Sequence, residues 1–183
     1  MKACFMGLGY IGLPTAIIAA KHGIEVTGVD INPSVVELTN QGKLHIVEPG
    51  LEVYLQEVVK TGNLKASLKP EVCEAYFMVV PTPFKGNHEP DISYVEAATR
   101  SVLPLLKAGD LYVIESTSPI GTTEKMRDLI YGERPELKDK IYIAYCPERV
   151  LPGNVIYELV HNDRVIGGID EEATNKAIEF YSQ

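Results

Sequence analysis

Several features that would by themselves assign a protein to a class are missing from this sequence. It has no tryptophan, and its 183 residues include three cysteines, Cys4, Cys73 and Cys146, with no CxxC pair among them. A disulfide framework and a zinc ribbon are therefore excluded, and the reduced thiols of a cytoplasmic protein are expected. No apolar run reaches the ~18 residues that a membrane span needs.

Positive charge is also in short supply. The 17 lysines and arginines are outnumbered by 25 aspartates and glutamates, which gives a formal net charge of −8. Proteins that bind a phosphate backbone or an anionic membrane broadly carry the opposite sign, so we expect neither nucleic acid nor a membrane as a partner. The four histidines are scattered without ligand spacing, and no metal site is predicted.

What the sequence has instead is a regular alternation of short apolar runs and amphipathic stretches. The apolar runs predict strands over residues 2–6, 25–30, 64–67, 76–80, 111–115, 141–145 and 164–167. The amphipathic stretches predict helices over residues 11–22, 33–40, 51–61, 92–106, 120–131 and 171–182, with Asn32 and Asp91 as N-caps. Buried strands separated by helices are typical of an α/β fold, here a Rossmann-type doubly wound parallel sheet with helices on both faces. We predict one domain over residues 1–183.

A glycine-rich segment, GLGYIG over residues 7–12, joins the first predicted strand to the first predicted helix. This G-x-G-x-x-G spacing, in that context, is typical of dinucleotide binding. Gly7 permits a tight turn, Gly9 lets a diphosphate approach the backbone, and Gly12 allows the helix to pack closely on the strand. The helix N-terminus supplies N–H groups and partial positive charge, so an acidic protein could still hold an anionic ligand.

An acidic residue follows at the spacing that the fingerprint requires. Asp30 closes the second predicted strand, eighteen positions after Gly12, and its carboxylate could accept hydrogen bonds from a ribose diol. The next three residues carry no positive charge for a 2′-phosphate, which favours NAD over NADP. FAD shares the fingerprint, and a glycine-rich turn that binds nothing is the other alternative.

Three further loops begin where predicted strands end. They read VPTP (residues 80–83), ESTSP (115–119) and CPERV (146–150). In an open parallel sheet the ligand lies beyond the carboxyl ends of the strands, so these loops are candidates to complete the site. Their prolines would stiffen site loops, or they simply terminate the strands.

Five ordered motifs together resemble a known family. They are GLGYIGLPTA, IVEPGLE, VPTP, ESTSPIGTTEK and YCPERVLPGN, and they span most of the chain. The chain resembles the N-terminal, NAD-binding domain of the UDP-glucose/GDP-mannose dehydrogenase family. Within that family, CPERVLPGN and ELVHNDRVIGG are most similar to the UDP-N-acetyl-D-mannosamine dehydrogenase branch.

The resemblance implies an oxidoreductase of polysaccharide biosynthesis. Such an enzyme oxidises the 6-alcohol of a nucleotide sugar to a carboxylate in two steps and four electrons, with NAD as the cofactor and a cysteine that holds the aldehyde covalently. The branch implies UDP-N-acetyl-mannosamine as the substrate. A UDP-glucose or GDP-mannose 6-dehydrogenase, another NAD-dependent dehydrogenase of the same fold, and a non-catalytic nucleotide-sensing module are the alternatives.

The family motifs also imply cofactor contacts. Tyr10 and Ile11 would lie on the cofactor phosphates beside the fingerprint glycines, and Asp30 would hold the adenosine ribose. Thr82, next to Pro81 in VPTP, and Thr117, in ESTSP, would line the nicotinamide side.

Chemical roles follow for the later motifs. Thr117 and Glu148 would handle the water that hydrolyses the thioester, and Glu148, Arg149 and Val150 would touch the substrate. A hydroxyl and a carboxylate near the nicotinamide suit such a role. Alternatively, Thr117 is a helix N-cap ahead of Ile120, or serves both purposes.

One expected part of the family is missing from these residues. The nucleophile lies in a glycine-rich G-G-S-C-F-P-K-D type segment, and none of the three cysteines is in such a segment. We therefore expect this chain to lack the nucleophile, the central helix and the C-terminal sugar-nucleotide domain, and to be inactive alone. Full-length members are implied to form homodimers through the central helix, so this piece is expected to be a monomer.

Overall fold

The computed structural model describes residues 1–151 and 153–183, and Pro152, a part of the YCPERVLPGN motif, lies outside the described residues. The strands are β1 (Lys2–Met6), β2 (Glu25–Val29), β3 (Leu64–Ser67), β4 (Ala75–Met78), β5 (Phe84–Lys85), β6 (Glu89–Pro90), β7 (Leu111–Ile114), β8 (Tyr142–Tyr145) and β9 (Gly167–Gly168). The helices are α1 (Gly12–Lys21), α2 (Pro33–Asn40), α3 (Leu51–Thr61), α4 (Ser93–Val102), α5 (Thr122–Glu133), α6 (Val155–His161) and α7 (Glu171–Tyr181).

Seven of these strands form one sheet in the order β3-β2-β1-β4-β7-β8-β9. Neighbouring strands are parallel except for β8 and β9, which are antiparallel. The order reverses between β1 and β4, and a doubly wound sheet binds its ligand at such a point, outside the carboxyl ends of the strands. The predicted Rossmann-type α/β fold is therefore confirmed.

The central strand β1 is buried on both faces, which is why its sequence is almost continuously apolar. Ala3 and Phe5 face a core shared with α1, α3 and α7, and Phe5 stacks on Phe77 of β4 with ring centroids 4.5 Å apart. Cys4 and Met6 point to the other face, where α4 and α5 cover the sheet. Helices thus cover both faces, and the carboxyl ends of the central strands remain open for a site.

Several predicted boundaries are wrong. Helix α4 ends at Val102 and continues as a 3-10 turn, because Pro104 lacks the N–H that a further α-helical turn needs. Asp91 lies one residue before the N-cap position of α4, although its carboxylate accepts a hydrogen bond from the Ser93 N–H at 2.9 Å. Asn32, in contrast, caps α2 as predicted, accepting from the Ser34 N–H at 3.0 Å.

The last third of the chain departs furthest from the prediction. The strand predicted over residues 164–167 is instead the two-residue β9, and it runs antiparallel to β8. Helix α6 and the β5–β6 hairpin were not predicted. In the part of the chain that the structure describes, no helix is long and apolar enough to cross a membrane.

Candidate functional site

A cleft of about 470 Å³ lies at the carboxyl ends of β1, β4, β7 and β8, where the strand order reverses. Most of the residues predicted for the site line it: Gly7, Gly9, Tyr10, Ile11, Asp30, Pro81, Thr82, Thr117 and Glu148. Four others that were given no role also line it: Val79, Val80, Glu115 and Ser116. Segments that are far apart in sequence thus meet in one place, as the sheet topology requires.

The fingerprint loop is shaped by close backbone contacts that its glycines permit. Gly7 has a φ of +103°, and a Cβ added there would lie 2.4 Å from the Val79 carbonyl oxygen. A Cβ added at Gly12 would lie 1.9 Å from the Gly7 carbonyl oxygen, so Gly12 is required by the turn itself and stays buried behind the cleft. At Gly9, no atom of the described residues lies within 4 Å of an added Cβ. The space over Gly9 is therefore open for a ligand.

Among the described residues, side chains cap the N-termini of only some helices, and those of α1, α3, α4, α5 and α6 have none. Asn32 caps α2 and Asp170 caps α7 through side-chain oxygens, whereas within residues 1–151 and 153–183 no side chain caps α1 at Ile11. Tyr10 lies on the rim, 44% exposed, with its hydroxyl 3.5 Å from the Val47 amide nitrogen, which donates to it. Uncapped helical amides beside an open glycine fit a diphosphate, so the residues present match a bound dinucleotide.

Asp30 lies at the carboxyl end of β2 and holds the fingerprint loop in place. One carboxylate oxygen accepts from the Leu8 N–H at 3.0 Å, and the other accepts from the Asn32 N–H at 2.9 Å. Each carboxylate oxygen can accept more than one hydrogen bond, so the side chain retains capacity toward the cleft. This is the arrangement that a ribose diol needs at this position of the fold.

The loops after β4 and β7 are tied to each other. The Thr82 hydroxyl donates to the Thr117 carbonyl oxygen at 2.7 Å, and the Ser116 hydroxyl donates to the Val80 carbonyl oxygen at 2.6 Å. These bonds bring Thr82 and Thr117 together on one wall. The alternative that Thr117 is a helix N-cap is wrong, because α5 begins at Thr122 and Gly121 occupies its N-cap position with a φ of +87°.

Glu148 follows β8 and presents a nearly buried carboxylate to the cleft. One oxygen lies 2.9 Å from the Arg164 guanidinium, and the other accepts from the Arg149 N–H at 2.7 Å. The Arg149 side chain turns away from the cleft and donates to the Asp163 carbonyl oxygen at 3.0 Å. Val150 is buried against Val155 and Leu159. Neither Arg149 nor Val150 is among the described residues that line the cleft, so the substrate contacts predicted for them stay predictions.

Glu115 is the residue that sequence reasoning missed. Its side chain is 1% exposed although it lines the cleft, and one carboxyl oxygen accepts a hydrogen bond from the Tyr181 hydroxyl. Burial raises the pKa of Glu115 to about 7, against the opposing effects of the Tyr181 hydrogen bond and the charge of Arg164. One feature of the sequence could have indicated this residue, because Glu115 is an acidic residue directly after a predicted buried strand, in the ESTSP motif.

The cysteines do not supply a nucleophile to this cleft. Cys4 and Cys73 are buried on the α4–α5 side of the sheet. Cys146 directly follows β8 and is fully buried, and burial raises the pKa of its thiol to about 11. A reactive cysteine needs a depressed pKa and access to substrate, and Cys146 has neither.

Comparison with known proteins agrees with the motifs. A family profile described as the NAD binding domain of the UDP-glucose/GDP-mannose dehydrogenase family matches residues 1–183. The UDP-N-acetyl-D-mannosamine dehydrogenase of Campylobacter jejuni is 51% identical over 189 residues, covering 98% of this chain and 46% of that protein. An NDP-N-acetyl-D-galactosaminuronic acid dehydrogenase of Ralstonia nicotianae is 49% identical over 184 residues, covering 96% of this chain and 44% of that protein.

A solved structure shows the same fold. The native UDP-N-acetyl-mannosamine dehydrogenase of Staphylococcus aureus superposes with a TM-score of 0.95 and 40% identity, covering all of this chain and 45% of that one. The chain thus spans about half the length of the relatives that it matches.

Proposed function

Because this chain belongs to the UDP-glucose/GDP-mannose dehydrogenase family and matches its NAD binding domain, we propose that it is the cofactor-binding part of a nucleotide-sugar 6-dehydrogenase. Such an enzyme oxidises a 6-alcohol to a carboxylate. The observation that carries the proposal is the cleft itself, in which an uncapped helix N-terminus, an open glycine and an acidic residue face one another at the reversal of the sheet. NAD would supply the hydride acceptor.

The proposed residue roles follow from position. Gly7, Gly9, Tyr10 and Ile11 surround the open main-chain amides that would hold the diphosphate. Asp30 would accept hydrogen bonds from the adenosine ribose, and an aspartate at this position disfavours a 2′-phosphate by charge repulsion.

The nicotinamide end would lie across the reversal of the sheet. There, the cleft is lined by Pro81, Thr82, Thr117 and Glu148. Arg164 holds the Glu148 carboxylate in place, and this carboxylate would orient the water molecule that hydrolyses the thioester. We propose that the covalent nucleophile and the remaining sugar-binding groups are contributed outside these residues, in an enzyme of about twice this length that forms homodimers, while the 183-residue chain alone is a monomer.

We propose UDP-N-acetyl-D-mannosamine as the sugar nucleotide. The name of the relative at 51% identity supports it, whereas the relative at 49% carries a different sugar in its name. A substrate screen with the complete gene product decides between them and also tests UDP-glucose and GDP-mannose. We further propose a cytoplasmic location, which the three free thiols support.

The cofactor assignment is tested by calorimetric titration of NAD and NADP into the purified 183-residue chain. We expect NAD to bind and NADP to bind more weakly. Gly9→Val should abolish binding while circular dichroism shows an intact fold, because the side chain would occupy open space over the loop.

Asp30→Ala should weaken NAD binding by roughly 1–3 kcal/mol, the usual scale for a hydrogen bond to a charged group. Asp128→Ala, at an exposed site on α5, is the matched control and should leave the affinity unchanged. Absence of NAD binding to the folded wild-type chain would refute the proposed function.

A further inference from the structure

We propose that Glu115 makes this cleft discriminate between the oxidised and the reduced cofactor, favouring NAD⁺ over NADH. The inference rests on the proposed function, because it takes the nicotinamide ring to lie among the loops that follow β4, β7 and β8. Its basis is charge, since the ring is a cation in NAD⁺ and neutral in NADH. A carboxylate in the wall beside the ring would attract the oxidised form more strongly.

The geometry at Glu115 supplies such a carboxylate. The residue directly follows β7, and its neighbours Ser116 and Thr117 line the same wall. One oxygen is occupied by the Tyr181 hydroxyl, whereas the other oxygen is buried and has no hydrogen-bond partner among residues 1–151 and 153–183. A buried polar atom left unpaired is costly and calls for a specific explanation. Because this oxygen is buried, a cationic ligand group in the cleft would stabilise its charge through space and not by direct contact.

Glu115 shares one cationic neighbour, Arg164, with Glu148. Four ionisable groups face it: Tyr181 of α7, Arg164 before β9, and Cys146 and Glu148, which both follow β8. The Arg164 guanidinium forms an ion pair with Glu148 at 2.9 Å and lies 4.6 Å from the centre of the Tyr181 ring. Because one arginine lies between two carboxylates and the Cys146 thiol is neutral, ionised Glu115 gives this cluster a net charge of −1.

The linkage between binding and protonation then has a definite sign. Burial brings the pKa of Glu115 to about 7 in the free protein, so the carboxyl is about half protonated at neutral pH. A cation nearby favours the ionised form, so NAD⁺ binding releases a proton to solvent and strengthens as the pH rises through this range. NADH has no such preference for the ionised carboxylate.

The test is calorimetric titration of NAD⁺ and of NADH into the 183-residue chain at pH 6 and pH 8. We expect the ratio of NAD⁺ affinity to NADH affinity to rise roughly two- to fivefold between these values, which is the change that lowering the pKa of Glu115 by about half to one unit gives across this range. Repeating the NAD⁺ titration at pH 7 in buffers of different ionisation enthalpy should show proton release.

Three variants test whether the pH dependence of the affinity ratio comes from Glu115. Glu115→Gln keeps an acceptor for the Tyr181 hydroxyl but cannot ionise, so its affinity ratio should not change with pH. Tyr181→Phe removes a hydrogen bond that lowers the pKa of Glu115, so the transition should move to higher pH. Glu171→Gln, at an exposed position on α7, should behave as the wild type.

The outcomes separate this inference from the function on which it rests. If NAD⁺ binds but the affinity ratio is independent of pH, or if the same dependence persists in folded Glu115→Gln, the role of Glu115 is refuted and the cofactor assignment stands. If neither form binds at either pH, the proposed function itself fails and this inference fails with it.

Discussion

The two ends of the cleft are formed by different kinds of chemical group. The end formed by β1 and β2 uses main-chain groups, namely a glycine-rich turn and the uncapped start of α1, together with Asp30. The end formed by the loops after β4, β7 and β8 uses side chains. Glu115, Glu148 and Arg164 form a cluster of charges there.

The difference determines how each end responds to change. The main-chain end depends on close steric contacts within one short segment, so it should be sensitive to added atoms. The side-chain end depends on the balance of buried charges drawn from distant segments, so it should be sensitive to pH and to neutralising substitutions. The following predictions test this contrast, and they begin with the largest expected effect.

Gly12→Ala should lower the free energy of unfolding by about 4 kcal/mol or more, because a backbone carbonyl cannot move away as a flexible side chain can. The added Cβ would lie 1.9 Å from the Gly7 oxygen, whereas the same change at Gly9 meets nothing described within 4 Å. Gly9→Ala is therefore the matched control. Urea unfolding followed by circular dichroism measures both, and equal losses would contradict steric control of this end.

Glu115→Gln should change the pH dependence of stability. The pKa of Glu115 is raised from 4.5 to about 7 in the folded chain, so the folded state binds this proton more tightly than the unfolded state. Wild-type stability from this group is fully present below pH 4.5 and is lost as the pH rises through 7.

Between pH 5 and pH 8, the wild type without cofactor should therefore lose about 2–3 kcal/mol more than Glu115→Gln. Chemical denaturation at several pH values measures the difference. Parallel stability curves for the two proteins would show that buried charge does not control this end.

Glu48→Gln should have the smallest effect, and it tests how the loop before α3 is held to the segment that follows β8. The Glu48 carboxylate, from the loop before α3, accepts from the Gly153 N–H at 2.7 Å and from the Val155 N–H at 2.8 Å. A glutamine has one acceptor oxygen, so one amide loses its partner and about 1–2 kcal/mol of stability should be lost.

Hydrogen exchange at Val155 and Gly153 should also accelerate in Glu48→Gln. Glu52→Gln, at an exposed position on α3, is the control and should leave both measurements unchanged. Unchanged exchange in Glu48→Gln would mean that these bonds do not hold the two segments together.

The same contrast explains how far the sequence alone can go. The main-chain end was predictable because its constraints are local: glycines at fixed spacing, a strand before them and a helix after them. The parallel core was predictable because buried strands are continuously apolar, as in β1 and β7. The family and the NAD cofactor were also predicted correctly from the motifs.

The side-chain end was less predictable because its contacts are not local. Glu115 meets Tyr181 across 66 positions, and no pattern near either residue indicates the other. The substrate contacts assigned to Arg149 and Val150 from the motif stay predictions. The sequence did not indicate that the Arg149 side chain bonds to Asp163 or that Val150 is buried near α6. Two-residue strands such as β9 are too short to show any periodicity.

The reversal of β9 has a consequence for how the molecule meets its neighbours in concentrated solution. Exposed strand edges are templates for uncontrolled self-association, and long flat edges are the most hazardous. Here the outermost strand on one side consists of Gly167 and Gly168, and the chain leaves it at once for α7. A second molecule finds only two residues to pair with there, which disfavours association of another strand at this edge of the sheet.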